Sequence, residues 1–375
     1  MISEVVDLTI QMLKCGDNDD SHLALFKLVK DSLSSLSFSS VVIDASGKPN
    51  LFLEIGKTGP LLVFLGHSDV VSPGDITKWK YSPFSGVIEN EVIYGRGSVD
   101  MRSAIAAFCI AVKNTPKDIL ENYRIGIVLT SDEETSCNGA PAVLKYLEQN
   151  NKSINLCVVG EPTAKSQTGD KIKIGRRGGL SGHFKFYGDQ GHTAYLSGEV
   201  NVLNRSVKVA NGLLDIEWPS DLPPWPNINF HITNFCSGIG ENNTVPSSAE
   251  FKINVRFGPS LSREMVINKC EEIIKKLDNL EISWSKGAQP YLTKDEKVLK
   301  IVSDSIQDVT GVTPEFAVDG GTSDGRFFAN SGVSTVEIGV PGIGLHEINE
   351  SVKTSDLELL VKIYKQLLMN FKINK

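Results

Sequence analysis

Five short stretches of this chain place imidazoles and carboxylates where apolar runs stop: GHSD (66–69), GSVDM (97–101), TSDEET (130–135), GEPT (160–163) and LHEINE (345–350). Two imidazoles and three carboxylates suit a metal that takes nitrogen and oxygen ligands without redox demand, and zinc is the first choice on ligand type. One carboxylate shared between two ions can hold them ~3.5–4 Å apart, the spacing of two-metal hydrolases. Another carboxylate must stay off the metals to take a proton from water, and adjacent glutamates can divide these tasks. Glu133 and Glu134 therefore read as one base and one ligand. Asp69, two positions after His67, reads as a brace that orients the imidazole.

Each stretch also has an ordinary reading. Asp100 could cap the helix that follows it, and SDEE could be acidic residues of a first helical turn. GEP could be a plain turn. Position favours the chemical reading, because ligands in open α/β sheets bind outside the carboxyl ends of the strands. LLVFLG (61–66), RIGIVLT (124–130) and NLCVVG (155–160) have the composition of buried strands, and each ends at one of the stretches. A helix is expected over 101–114, another around 294–309, a strand over 333–339 and a closing helix over 354–371.

The middle of the chain has a different grammar. A strand at 180–188 and a helix at 202–218 precede two runs of period-two alternation, 228–235 and 250–257; a helix (262–280) and a strand (281–285) complete the set. The order β-α-β-β-α-β is ferredoxin-like. The expected architecture is an α/β catalytic domain made from residues 1–177 and 291–375, with a mixed sheet and helices on both faces. An α+β domain is inserted at 178–290. Among the remaining histidines, His22, His183 and His231 sit on helix or strand patterns and read as core or surface residues. His192, after the glycine of GDQGHTAY, is either a loop residue or a functional one.

At 375 residues with net charge −7, the chain is acidic and evenly mixed, which argues against a nucleic-acid partner. The six cysteines form no C-x-x-C pair and read mostly as reduced core thiols. No apolar run approaches the ~20 residues that span a bilayer. The N-terminal MISEVVDLTIQMLK reads as an amphipathic helix rather than a signal peptide. A soluble, cytoplasmic protein is expected.

The motifs GHSDVVSPGD, GRGSVDMR, TSDEET, GEPT and LHEINE resemble those of the co-catalytic zinc aminoacylase and carboxypeptidase family, along nearly the whole chain. GRRGGLSG (175–182), GGTSDGRFF (320–328) and WKYSPFSG (79–86) resemble the branch that removes N-succinyl groups. The resemblance implies one zinc on His67, Asp100 and Glu161 and a second on Asp100, Glu134 and His346, with cobalt(II) possible in one site. It makes Glu133 the general acid/base and His192 an oxyanion donor reaching across a homodimer formed by the inserted domain. Arg176, Asn242, Asn243, Arg256, Gly321 and Thr322 would line the pocket for an N-succinyl amino-acid substrate. The implied reaction is hydrolysis of N-succinyl-LL-2,6-diaminopimelate, with acetylornithine deacetylase or aminoacylase activity as the near rival. A non-catalytic metal-binding protein would be expected to have lost Glu133 or a ligand. The chain departs from the family pattern after His192 (AYLSGE), at NNTVPSS (242–248), and at Arg102, where the family has lysine. Arg102 is expected to be a solvated charge on a helix face.

Overall fold

The structure, a computed structural model, describes residues 2–238, 240–274, 277–342 and 344–371. It divides into two compact units. One comprises Met1–Gly175, Leu292–Ala317 and Ser323–Lys375; the other comprises Arg176–Tyr291 and Val318–Thr322. Among the described residues no helix is long and apolar enough to cross a membrane.

The larger unit is built on an eight-stranded mixed sheet. Its spatial order is Phe38–Ala45, Lys48–Ile55, Arg124–Thr130, Leu61–His67, Leu156–Val159, Thr335–Glu337, Lys171–Lys173 and Glu315–Ala317. The central four, from Arg124–Thr130 to Thr335–Glu337, run parallel, so their carboxyl ends share one rim. Every residue of Leu61–His67 is buried, as the near-continuous apolar run required. Its flanking strands hold the register at Gly66–Leu129 and Leu65–Val159. At the first edge, Ser46 and Gly47 both have positive φ, 56° and 83°. That two-residue turn matches the twist of an antiparallel pair and joins Phe38–Ala45 to Lys48–Ile55.

Helix Arg102–Lys113 is apolar around most of its circumference, and all but its last residue are buried. A helix of that composition must be enclosed on all sides. It packs against the C-terminal helix Thr354–Asn370, where Phe64, Phe108 and Tyr364 form a ring cluster with centroids 4.4–5.8 Å apart. This enclosure overturns the expectation for Arg102. The side chain is fully buried, not solvated, because the first turn of an enclosed helix has no water to reach. Its guanidinium donates to the carbonyls of Ser68 (2.7 and 3.1 Å), Met12 (3.1 Å) and Gly16 (2.6 Å). Burial lowers its pKa to about 10.

The smaller unit is a four-stranded antiparallel sheet in the order Asn229–Ser237, Ser248–Phe257, Gly178–Tyr187, Leu280–Trp284. Helices Val202–Leu214 and Arg263–Ile274 cover one face, giving the ferredoxin-like arrangement. Its core is Phe184, Phe186, Phe251, Ile253 and Val255 from the strands, packed on Val209, Leu213, Val266 and Cys270 of the helices. Period-two alternation in Ser248–Phe257 maps onto its burial, with Ala249, Phe251, Ile253, Val255 and Phe257 inward.

Candidate metal centre

The rim of the larger unit gathers side chains from one strand end and four loops. His67 is the last residue of its strand, and its Nδ1–H donates to the backbone carbonyl of Asp69 at 3.0 Å. That bond leaves Nε2 facing the carboxylates, 2.9 Å from Asp100 Oδ1 and 3.8 Å from Glu161 Oε1. On the other side of Asp100, Oδ2 lies 3.2 Å from His346 Nε2, which is also 3.1 Å from Glu134 Oε1. Two groups of potential ligands result, His67–Asp100–Glu161 and Asp100–Glu134–His346, and Asp100 belongs to both with one oxygen turned to each.

The local sequence explains why these groups are available. The helix after Asp100 takes Met101 as its N-cap, so the Asp100 carboxylate does no capping. The Asp100–Met101 peptide is cis. In the acidic run the capping work falls to Asp132, whose carboxylate accepts from Ser136 Oγ (2.6 Å) and from the amides of Asn138 (2.7 Å) and Gly139 (2.9 Å). Glu133 and Glu134 are thereby left for the rim. Glu161 follows the third strand, and Gly339 lies so close that a Cβ there would stand 2.2 Å from its carbonyl oxygen. His346 adopts φ 61°, a conformation uncommon for a residue with a Cβ.

Asp69 braces the site in a different way from that expected. The carbonyl, not the carboxylate, orients His67; the carboxylate is 3.6 Å from Nδ1 and instead accepts the backbone amides of Glu133 (3.3 Å) and Glu134 (3.0 Å). One residue thus fixes both the imidazole and the acidic loop.

The electrostatics of the cluster show a demand for positive charge. Burial pushes the Asp100 carboxyl upward, but hydrogen bonds from His346 and His67 carry it well below the ordinary carboxylate range. Burial pushes the His67 imidazole downward, yet Asp100 holds its proton on. Asp100 and Glu134 raise His346 to about 10. Glu161 is raised well above normal, by burial first and then by Asp100 and Glu133. Burial raises Glu133 to about 8. Carboxylates this crowded need cations among them, and two divalent ions on imidazole and carboxylate donors meet that need. The residues fit a metal pair.

Several contributors were not anticipated. Glu350, fully buried, accepts from the amides of Val99 (2.7 Å) and Asp100 (3.2 Å) and from Arg96 Nη1 (2.6 Å). Arg96 Nη2 also donates to the carbonyl of His346 at 3.4 Å. The buried His22 Nδ1 lies 2.9 Å from Ser68 Oγ, which itself donates to Thr130 O. The LHEINE motif contains Glu350, but nothing local marks it as a brace rather than a surface acid.

The smaller unit carries the remaining candidates. His192 is exposed and paired with Thr244 in a two-stranded ladder, with its Nε2 3.5 Å from Asn243 Nδ2. Asn242 is exposed beside it. Arg176 is buried and donates to the carbonyl of Asp319 at 3.4 Å, next to Gly320, Gly321 and Thr322. Arg256 stands opposite Gly179 on the neighbouring strand, with Nε donating to Asn254 Oδ1 at 3.0 Å. Burial first, and then the nearby Arg177 guanidinium, lower its pKa.

Comparison with known proteins places these observations in context. Residues 63–370 match the model of peptidase family M20/M25/M40. Among curated relatives, the succinyl-diaminopimelate desuccinylase of Thioalkalivibrio sulfidiphilus is 35% identical over 371 residues, covering 98% of both chains. That of Psychromonas ingrahamii is 37% identical over 342 residues, 90% of this chain and 91% of its own. Among solved structures, an M20 family metallo-carboxypeptidase from Sulfolobus solfataricus aligns with TM-score 0.80 at 18% identity, over 98% of both chains. A dinuclear metal-binding M20 peptidase from Bacillus subtilis aligns with TM-score 0.70 at 14% identity, over 97% of this chain and 96% of its own.

Proposed function

As the chain belongs to peptidase family M20/M25/M40, we propose that it is a two-metal amidohydrolase cleaving N-succinyl-LL-2,6-diaminopimelate to succinate and LL-2,6-diaminopimelate. The observation that carries this reading is the pair of ligand groups sharing Asp100, with Glu133 in electrostatic reach of His67, Asp100 and Glu134. The substrate follows from the names of relatives that match almost end to end.

His67, Asp100 and Glu161 would hold one divalent ion, and Asp100, Glu134 and His346 the other. Zinc suits both donor sets, and cobalt(II) accepts the same ligands. When bound, such a pair supplies Lewis acidity to the amide carbonyl and eases deprotonation of water near neutrality. Glu133 takes the proton from the attacking water and returns it to the departing amine. Its carboxylate stays off both ligand groups, which leaves it available for the two proton transfers. Arg176 and Arg256 suit the carboxylates of a polyanionic substrate through paired donors. Asn242, Asn243, Gly321 and Thr322 would complete the lining.

The reading includes a homodimer formed through the smaller unit, with His192 donating to the developing oxyanion in the partner's site. Its support is the edge strand Asn229–Ser237, which is mostly exposed and carries an exposed Phe235. An unpaired edge of that length is a template for a second copy. His192→Ala is expected to lower kcat by roughly 100-fold while dimer mass and bound metal stay unchanged. A variant with unaltered kcat removes His192 from the reaction.

The overall test is amide hydrolysis of N-succinyl-LL-2,6-diaminopimelate beside N-acetylornithine, with zinc-loaded and chelator-stripped protein. Zinc-dependent cleavage of the succinyl substrate alone is expected. Cleavage of acetylornithine instead moves the assignment to a deacetylase, and cleavage that survives stripping overturns the two-metal reading.

A further inference from the structure

Behind Glu133 lies a third group of metal-type side chains that the reaction does not use. Glu133, Cys137 and Asp324 bring a carboxylate oxygen, a thiol sulfur and a second carboxylate oxygen within 4.8 Å of one another. Asp324 is 3% exposed. Its Oδ2 accepts from Thr130 Oγ1 at 2.9 Å, but its Oδ1 is buried with no hydrogen-bond partner among the described residues. A buried carboxylate oxygen without a donor is destabilising unless a cation or a proton comes to it. Burial accordingly raises Asp324 to about 6. The Cys137 thiol is raised to about 11 by burial, and its Sγ–H donates to the Glu133 carbonyl at 2.9 Å.

The geometry points to an inhibitory site for a thiophilic divalent cation, zinc or cobalt(II), held by Glu133, Cys137 and Asp324. Bond lengths of about 2.0–2.3 Å around a tetrahedral ion put ligand atoms about 3.5 Å apart, so separations of at most 4.8 Å contract on binding by no more than about 1.3 Å. Side-chain rotation supplies that. The thiol gives its proton to solvent as the metal–sulfur bond forms, which a coordinated metal brings about even for a thiol raised by burial. The charges balance. Arg326 stands beside Cys137 and Asp324, with Nη1 donating to the Ser323 carbonyl at 2.9 Å. Two carboxylates and a thiolate against that one guanidinium leave two negative charges, which a divalent ion neutralises. Asp132, the other nearby acid, is already taken up by Ser136, Asn138 and Gly139.

Binding here takes Glu133 away from the water it serves. Excess metal therefore silences the enzyme without disturbing the two ions on the rim. The kinetic half of this inference rests on the proposed function; the binding half does not.

The experiment uses protein preloaded with two equivalents of zinc and titrated with cobalt(II), read by absorption, metal analysis and amide hydrolysis. The rim groups contain no sulfur, so a thiolate-to-cobalt charge-transfer band cannot arise from exchange there. The expected result is a third equivalent bound, the band, and at least roughly tenfold loss of activity in parallel. Cys137→Ser is expected to lose the band and resist inhibition at the same metal concentration, with unchanged activity at two equivalents. Asp324→Asn should raise the cobalt concentration needed by roughly tenfold. No thiolate band in the wild type overturns the site, whatever the substrate proves to be. Inhibition that persists unchanged in Cys137→Ser overturns its role as the inhibitory one.

Discussion

Replacing Glu133 by glutamine is expected to lower kcat by roughly 100- to 10,000-fold, with bound metal unchanged. Glutamine has the same shape but cannot accept the proton of the attacking water. The loop that presents it is fixed independently of the side chain: Asp69 holds the amides of residues 133 and 134, and Asp132 holds the start of the next helix. The substitution therefore removes a proton acceptor from an intact frame, and Glu134 keeps its place 3.1 Å from His346. Steady-state kinetics with metal analysis separates the possibilities. A near-normal kcat would show that another group is the base, and a fall matched by metal loss would make Glu133 a ligand.

Glu350→Ala is expected to destabilise the protein by about 3–5 kcal/mol, the cost of leaving a buried partner charge unpaired. Arg96 is 2% exposed, and Glu350 is its close ion-pair partner at 2.6 Å. The same carboxylate also satisfies the amides of Val99 and Asp100, so two further donors are orphaned inside the protein. The contrast is Lys27–Asp31, an exposed pair one helical turn apart, where Asp31→Ala should cost no more than about 0.5 kcal/mol. Denaturant unfolding measures both through the shift in midpoint at constant slope. Equal shifts for the two variants would sink the idea that Glu350 holds the rim together. Because Glu350 bonds the amide of Asp100 and Arg96 bonds the carbonyl of His346, metal affinity should fall with stability.

Elements with strong periodicity were legible in the sequence. The apolar runs at 61–66, 124–130 and 155–160 become neighbouring parallel strands, and the alternating runs at 228–235 and 250–257 become an antiparallel pair. The hairpin over 38–55 was passed over, although Ser-Gly between two β-rich runs is a turn signal. At the rim, residue types could indicate which side chains carry chemistry, but not how each is supported. Asp69 is legible as the brace for His67, but not that its carbonyl, rather than its carboxylate, does that work. Arg102 was read as solvated because arginine on a helix usually is. The burial of its helix depends on the C-terminal helix some 250 residues later, which local pattern does not report. Glu350 and Asp324 escaped notice for the same reason: their partners, Arg96 and Thr130, are 254 and 194 positions away.

Those separations bear on the order of events during synthesis. Asp100 meets His346 across 246 positions, and Glu350 meets Arg96 across 254. A ribosome making this chain releases almost all of it before either contact can form, at about 5–20 residues per second. The smaller unit, nearly all of it in one continuous stretch from Arg176 to Tyr291, is free to condense while the rest is still being made. The first 175 residues must wait, with the strand Leu61–His67 and the helix Arg102–Lys113 lacking the C-terminal helix that covers them. Nascent chains stalled short of residue 346 should therefore bind chaperones and lack the second metal, since the last ligand to leave the tunnel is the one that completes that ion's site.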